Sequence, residues 1–291
     1  MPDAIELAVL GGSGFYEMPG LREVEEVAVE TPFGDPSDRI RIGTLEGVRV
    51  AFLARHGRTH SILPGELPQR ANFWALKSLG ARRVLGVSAI GSLREDFAPG
   101  DLVVPDQLVD RTRGQRPATF FGDGVVAHVA LADPFCARMR DAVLRAAPAA
   151  RRIHDGGTYI VIEGPAFGTR AESELYRSWG ASVVGMTALP EAKLAREAEL
   201  CYAILAAVTD YDAWHDTHEA VDAATVFAVL QKNVGASREA LRALVRALPS
   251  VDDCSCTLAL DAALVTPAEA ISAENRERLA PILKRRLGDP A

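Results

Sequence analysis

Residues 163–212 read EGPAFGTRAESELYRSWGASVVGMTALPEAKLAREAELCYAILAAVTDYD, and this stretch decides the fold class. It contains a helical pattern over 169–179, a short apolar strand pattern over 182–186 and an apolar run over 201–208 that predicts a buried strand. Strands and helices that alternate in this way predict an α/β fold around a mixed sheet.

The same alternation continues on both sides of this stretch. Apolar runs predict strands at 5–10, 48–54, 83–88 and 158–163, and helical spacing predicts helices at 68–79, 222–248 and 268–286. Thr169 and Glu172 fit a capping box at the start of the 169–179 helix, which Gly180 ends. Residues 112–133 are rich in Gly, Pro and polar residues and predict a long irregular excursion, which is more often functional than idle.

Composition limits the classes of function. The 291 residues are 48% hydrophobic and 24% charged, with a net charge of −7 and a pI of about 5.5. The chain has no basic stripe, which argues against nucleic acid and anionic membranes as partners. No early apolar run resembles a signal peptide or a membrane span, so we expect a cytoplasmic protein. No repeat or linker divides the sequence, and we expect one domain over residues 1–291.

The four cysteines, Cys136, Cys201, Cys254 and Cys256, do not have zinc-finger spacing. In a cytosolic chain they are expected to be free thiols. The Cys254-Ser255-Cys256 pair also suits a strained, redox-labile bridge, or a bridge that fastens the C-terminal region. The sequence leaves these alternatives open.

Several polar side chains directly follow predicted strands. Glycines around Ser13 let backbone N–H groups approach an anion, although the same glycine run also suits a tight turn. Arg55 and His56 follow the 48–54 strand, and a guanidinium is suited to bidentate recognition of phosphate. Ser88 and Thr187 add hydroxyl groups at two further strand exits, although each alone could bond its own backbone. Taken together, the set predicts a phosphate site.

Asp210 and Asp212 follow the apolar 201–208 run, at the strand end where open α/β sheets place their ligands. They suit acid–base work, hydrogen bonds from a nitrogenous ligand, or a solvated turn. No His or Cys lies nearby at ligand spacing, so we predict no metal there. Phe167 follows Gly164-Pro165 and either stacks on a flat base or packs in the core.

At these residues the chain resembles the methylthioadenosine phosphorylase branch of the trimeric purine nucleoside phosphorylases. The resemblance extends in order over roughly residues 5–235. Its motifs include GGSG at 11–14, TPFGDPSD at 31–38, LARHGRTH at 53–60, RANFWALKSLG at 70–80, SAIGSLREDFAPGDLVVPDQLVDRT at 88–112, HVALADPFC at 128–136, IEGPAFGTRAES at 162–173, WGASVVGMTALPEAKLAREAELCYA at 179–203 and TDYDAW at 209–214.

The resemblance implies a purine nucleoside phosphorylase-like fold, with a central, partly barrel-like mixed sheet flanked by helices. It implies a homotrimer or a dimer of trimers with active sites near subunit contacts. The implied reaction is phosphorolysis of S-methyl-5'-thioadenosine to adenine and 5-methylthioribose 1-phosphate. Phosphate is a co-substrate, and neither a metal nor an organic cofactor is expected.

The resemblance also implies roles for individual residues. Those matching phosphate ligands are Ser13, Arg55, His56, Ser88 and Thr187, with the backbone of Ala89. Those matching nucleoside contacts are Met186 under the ribose, Phe167 on the base, Asp210 and Asp212 facing N7 and the exocyclic amine, and His128 reaching the neighbouring subunit's 5' pocket. The predicted catalytic residues are Asp210, which carries or shares the N7 proton, and His56.

The acidic pair favours a 6-amino purine, because an ionised carboxylate only accepts hydrogen bonds. Phosphorolysis of 6-oxopurine nucleosides, such as inosine, guanosine or methylthioinosine, is the alternative within the same reaction type. A hydrolytic nucleosidase and a non-catalytic nucleoside-binding protein are the more distant alternatives. The sequence leaves the choice among methylthio, hydroxyl and deoxy groups at the 5' position open.

Overall fold

The structure is a computed structural model that describes residues 4–11, 18–114, 116–215 and 223–289. Ser13 therefore lies outside the described residues. One mixed sheet contains the strands β1 (Leu7–Gly11), β2 (Arg22–Val27), β3 (Ile40–Leu45), β4 (Val48–Ala54), β5 (Arg83–Ser92), β6 (Leu102–Val104), β7 (Gln107–Arg111), β8 (Ile153–Asp155), β9 (Thr158–Ile162), β10 (Val183–Gly185) and β11 (Cys201–Asp210). The α-helices are α1 (Gln69–Ser78), α2 (Ala137–Arg145), α3 (Arg170–Ser178), α4 (Ala188–Glu197), α5 (Ala223–Arg246), α6 (Ala273–Arg278) and α7 (Ala280–Leu287).

Strand β5 is the centre of the sheet. β11 pairs with one edge of β5 in parallel, from Arg83 to Gly91. The opposite edge is shared, because β1 pairs in parallel with residues 84–86 and β10 pairs antiparallel with residues 91–92. The stretch 87–90 therefore lies between two diverging strands. This divergence opens the sheet at the point where the sequence predicts ligand-binding side chains.

The core lies on both faces of the sheet. Alternate side chains of β11 point to opposite faces, so that Tyr202 and Ile204 belong to one apolar cluster while Ala203 and Leu205 belong to the other. Helices α1, α4 and α7 cover the first face, and α2 and α5 cover the second. Burial on both faces explains why β11 reads as a continuous apolar run.

The structure confirms most of the predicted elements, and most ends differ by one or two residues. The exception is β5, which continues to Ser92, four residues beyond the predicted end, so that Ser88 lies inside the strand and not at its exit. The capping box of α3 is present, with Thr169 accepting from the backbone of Glu172. The single helix predicted over 268–286 is wrong: the segment divides into a short turn at Ala268–Ala270, then α6 and α7. Ser272 caps α6, and Pro281 suits the first turn of α7 because it has no N–H to leave unpaired.

The irregular excursion predicted over 112–133 is also confirmed, since its described residues contain only isolated bridges. One of these bridges joins Ala127 to Leu264 in the C-terminal region. No helix in the described part of the chain is both long enough and apolar enough to span a bilayer.

Candidate active site

Asp210 occupies the end of β11, opposite Gly91 of β5, where the register of the two strands shifts. Its Oδ1 accepts the Asp212 backbone N–H at 2.8 Å, and its Oδ2 accepts the Thr209 hydroxyl at 2.7 Å. A Cβ on Gly91 would lie 2.9 Å from Oδ1, so glycine leaves room for the carboxylate. Burial raises the pKa of Asp210 above its ordinary value, which favours a carboxyl group that can carry a proton.

Asp212 follows in a left-handed backbone conformation, with φ of +52°. Burial raises the pKa of Asp212 to about 6, and the neighbouring charge of Asp210 acts in the same direction. The hydrogen bond from the Asp212 backbone N–H to the Asp210 carboxylate holds the two residues together. The structure therefore brings together the acidic pair that the sequence predicts.

Ser88 and Thr187 meet through a third residue. β10 runs antiparallel to β5, with Val184 opposite Gly91, so the chain after β10 returns beside Ser88. The Tyr159 hydroxyl lies 3.4 Å from the Ser88 hydroxyl and is close enough to Thr187 for the Thr187 hydroxyl to influence the pKa of Tyr159. Both hydroxyl residues are nearly buried, and Ala89 beside them is half-buried. Tyr159, which sequence reasoning missed, thus joins two of the predicted phosphate ligands.

Arg55 lies in the core at 2% exposure, with its guanidinium bound to Glu191. Its Nε donates to Glu191 Oε1 at 2.5 Å, and its Nη2 donates to Glu191 Oε2 at 3.3 Å. Nη2 also donates to the Leu10 carbonyl and Nη1 to the Val87 carbonyl, both at 2.9 Å. A guanidinium has five N–H groups, so these four bonds leave one Nη1 hydrogen without a partner among the described residues. The bidentate fork that the sequence suggested for phosphate is occupied by Glu191.

His56 is nearly buried and stacks on His60, with ring centroids 4.5 Å apart. Its Nδ1 lies 2.8 Å from the Ile62 carbonyl, which can only accept, so Nδ1 carries the hydrogen. Burial lowers the pKa of His56 to about 4, so the ring is neutral near pH 7. In that tautomer Nε2 is a hydrogen-bond acceptor.

Arg116 ties the excursion to the rest of the site, and sequence reasoning missed it. Its Nε donates to the Glu163 carboxylate at 2.8 Å, and its Nη2 donates to the Glu163 carbonyl at 2.5 Å. Its Nη1 donates to the carbonyls of Met186 at 2.6 Å and Leu189 at 2.9 Å. One guanidinium therefore holds the backbone at the half-buried Met186 and three residues after it. The only sequence signal for this role is an arginine inside a Gly- and Pro-rich segment.

Phe167 and His128 are both exposed. At 42% exposure Phe167 is not a core aromatic, which leaves a contact with a ligand as the open alternative of the two. The His128 backbone N–H donates to the Ala263 carbonyl at 2.8 Å, which fixes the excursion against the C-terminal region. The reach of His128 into a neighbouring subunit stays a prediction.

The acidic pair is not part of a metal-type cluster in the described ranges. There, the side chains that gather as metal ligands are the four cysteines, all of them free thiols. Cys201 begins β11 and Asp210 ends it, a separation of about 30 Å along an extended strand.

Comparisons with known proteins all place the chain in one protein family. The phosphorylase superfamily matches residues 6–247. The chain is 52% identical to S-methyl-5'-thioadenosine phosphorylase of Geobacter sulfurreducens, over 94% of this chain and 96% of that protein. It is 56% identical to the protein of the same name from Chloroflexus aurantiacus, over 96% and 97%.

Solved structures agree with the sequence relatives. A methylthioadenosine phosphorylase from an Antarctic soil metagenomic library superposes with a TM-score of 0.90 at 48% identity, covering 96% of this chain and 99% of that one. The methylthioadenosine phosphorylase of Schistosoma mansoni in complex with adenine gives a TM-score of 0.82 at 36% identity, covering 89% and 96%. The predicted α/β fold is confirmed.

Proposed function

We propose that this chain, which belongs to the phosphorylase superfamily, is a pentosyltransferase that catalyses the phosphorolysis of S-methyl-5'-thioadenosine. An oxygen of inorganic phosphate forms a bond to C1' of the ribose while the bond from C1' to N9 of adenine breaks. The products are adenine and 5-methylthioribose 1-phosphate. The reaction belongs to purine and methionine salvage.

The observation that carries the choice of substrate is the acidic pair at the end of β11. Asp210 has a raised pKa and is suited to give or share a proton with N7 as negative charge grows on the leaving base. General acid help of this type contributes about 10²–10⁴-fold. Asp212, ionised above pH 6, accepts an N–H of the 6-amino group. A 6-oxo purine would instead direct an oxygen lone pair at that carboxylate.

Phosphate is assigned to the opening of the sheet beside residues 87–90. Tyr159 fixes the hydroxyls of Ser88 and Thr187, which donate to phosphate oxygens. Ala89 adds a backbone N–H, and Ser13 adds a third hydroxyl. Because Glu191 neutralises Arg55, Arg55 contributes one directed hydrogen bond from Nη1 rather than a free charge.

His56 has a specific place in this arrangement. Its neutral ring presents Nε2 as an acceptor, and HPO₄²⁻ has one O–H to donate. We therefore assign His56 to orienting the phosphate through its single proton. That orientation turns an unprotonated oxygen, the better nucleophile, towards C1'.

The remaining assignments come from the resemblance to the methylthioadenosine phosphorylases. Phe167 stacks on the base, Met186 lies under the ribose, and His128 reaches the 5' pocket of a neighbouring subunit in a homotrimer or a dimer of trimers. The reaction as written needs no metal or organic cofactor. We also propose that the enzyme works in the cytoplasm.

The decisive experiment measures base release from methylthioadenosine, methylthioinosine and adenosine, each with and without phosphate. We expect phosphate-dependent turnover, with methylthioadenosine far ahead of methylthioinosine. Base release without phosphate would identify a nucleosidase. Preference for methylthioinosine would identify a 6-oxopurine phosphorylase, and binding without turnover would reject catalysis.

A further inference from the structure

The four cysteines that lie far apart in the sequence converge in the fold. The sulfur atoms of Cys136, Cys201, Cys254 and Cys256 all lie within 4.8 Å of one another, and all four residues are buried. The sulfurs of Cys136 and Cys254 are 3.6 Å apart. We refer to these residues as the four-cysteine cluster.

Three separate segments supply the cluster, and each is held by its backbone. Cys136 directly precedes α2, and its N–H donates to the Tyr202 carbonyl of β11 at 2.8 Å. Cys201 is the first residue of β11. Cys254 and Cys256 flank the start of a tight turn at Ser255–Leu258, and the Cys254 N–H donates to the Val251 carbonyl. The sulfurs are therefore positioned by the fold itself.

The size of the cluster matches one tetrahedral ion. Zinc binds thiolate sulfur at about 2.3 Å, which places four tetrahedral sulfurs about 3.8 Å from one another. The separations in the cluster, 3.6 Å for one pair and at most 4.8 Å for any pair, bracket that value. Disulfides would need two separate pairs, each with its sulfurs about 2.05 Å apart. Four mutually adjacent sulfurs fit a single central ion better than two bridges.

We propose that the four-cysteine cluster is a structural zinc site, in which one ion is bound by all four thiolates. Binding breaks four S–H bonds, forms four Zn–S bonds and releases up to four protons, without oxidation of any group. A site made only of soft thiolates selects zinc over hard cations such as magnesium and calcium. The bound site has a net charge of −2, which the surroundings have to compensate.

Positively charged or partly positive groups that can compensate this negative charge lie near the four-cysteine cluster. Cys136 lies at the N-terminus of α2, where helical N–H groups favour negative charge. The positive charge of Arg196 acts on Cys256. Arg138 of α2 donates to the carbonyls of Ser250 and Asp253, in the segment that leads into Cys254 and Cys256.

The location of the four-cysteine cluster indicates a role in the stability of the fold and not in catalysis. The cluster fastens the segment after α5 to α2 and to the start of β11, at the end of that strand opposite Asp210. Metal binding to a folded site stabilises the folded state, because the unfolded chain does not present the same ligands together.

The test begins with the full-length protein, purified under reducing conditions and stripped of metal. Zinc uptake is titrated against a chromophoric chelator, and the melting temperature is followed with and without zinc. We expect about one zinc per chain, a higher melting temperature with zinc, and a tetrahedral thiolate spectrum when cobalt(II) replaces zinc. Cys256→Ser should lose stoichiometric zinc and the thermal shift. Ser255→Ala, which changes the exposed residue between two ligands, should keep both.

Several results would overturn the proposal. One is a reduced, folded and catalytically active protein that takes up no zinc. Another is stoichiometric zinc that Cys256→Ser retains, because the ion would then be bound elsewhere. A third is a native protein that contains disulfides, shown by a mass lower by two hydrogens for each bridge. After reduction, that protein would remain folded and would bind no zinc. Turnover of methylthioadenosine serves as the check that each variant is folded.

Discussion

The Nε atom of Arg55 lies 2.5 Å from Oε1 of Glu191, and both side chains are essentially sealed from solvent. Glu191 also accepts the Tyr202 hydroxyl at 2.7 Å and the Gln69 amide at 3.2 Å. A buried carboxylate with these partners is fully compensated. Since it fixes the guanidinium, Glu191 sets the direction of the one Nη1 hydrogen of Arg55 that we assign to phosphate.

The first prediction concerns Tyr202→Phe, which removes one hydrogen bond to Glu191 and keeps the ring. We expect a loss of about 1.5–3 kcal/mol in the free energy of unfolding, as for hydrogen bonds to charged groups. Because Glu191 positions Arg55, KM for phosphate should rise more than KM for the nucleoside. Steady-state kinetics and denaturant unfolding measure both. Tyr176→Phe, at another buried tyrosine, is the matched control. An unchanged KM for phosphate would contradict the proposed coupling from Tyr202 through Glu191 to Arg55.

The second prediction concerns the proton at N7. Asp210→Ala should lower kcat by about 10²–10⁴-fold, the usual contribution of a general acid. The kcat of Asp210→Asn should lie between those of the unmodified enzyme and Asp210→Ala, because an amide donates a hydrogen bond but cannot transfer a proton. Asp96→Ala, at an exposed carboxylate paired with Arg94, controls for loss of charge. If Asp210→Ala retained full kcat, the general-acid role would be withdrawn.

The third prediction concerns pH and selectivity. The pKa of Asp212 is raised to about 6, so the carboxylate is ionised above that pH and protonated below it. Protonated Asp212 has an O–H that can donate to a 6-oxo group. The ratio of kcat/KM for methylthioadenosine over methylthioinosine should therefore fall as pH drops from 7.5 to 5. Asp212→Asn should remove this pH dependence, and a ratio that stayed constant in the unmodified enzyme would contradict the assignment.

Much of this site could be predicted from the sequence, because strand exits are local features. An apolar run marks each buried strand, and parallel neighbours bring their ends to one edge. Ser88 and Asp210 were predicted in that way. The structure places Asp210 at the end of β11, whereas β5 continues to Ser92, so that Ser88 lies inside β5 opposite Ala206 of β11. The capping box of α3 was equally local.

The partners of these residues could not be predicted, because they are distant in sequence. Glu191 binds a residue 136 positions away, and in the sequence it reads as an ordinary charged residue of a helix. Tyr159 and Arg116 likewise acquire their roles only through long-range contacts. The convergence of the cysteines has the same origin, since zinc-finger spacing is local and this cluster is not.

The fourth prediction concerns Phe167, which is 42% exposed. Phe167→Ala should change the free energy of unfolding by no more than about 0.5 kcal/mol, because the residue supports little core. It should weaken nucleoside binding by about 1–3 kcal/mol, the usual contribution of an aromatic stacked on a base. Leu175→Ala on α3 is the control, since that side chain is equally exposed. Equal binding constants for the two variants would exclude stacking.

The fifth prediction concerns Arg116, whose planar guanidinium binds the carbonyls of Met186 and Leu189 and the carboxylate of Glu163. Arg116→Lys keeps the charge, but a single ammonium group cannot reach all of these acceptors. We expect the free energy of unfolding to decrease by about 1–3 kcal/mol, because at least one buried carbonyl loses its hydrogen-bond donor. KM for the nucleoside should rise as the backbone around Met186 loosens, with a smaller change for phosphate. Arg113→Lys, at an exposed arginine of the same excursion, is the control. Identical unfolding curves and KM values for the two variants would show that the excursion is held in place by other contacts.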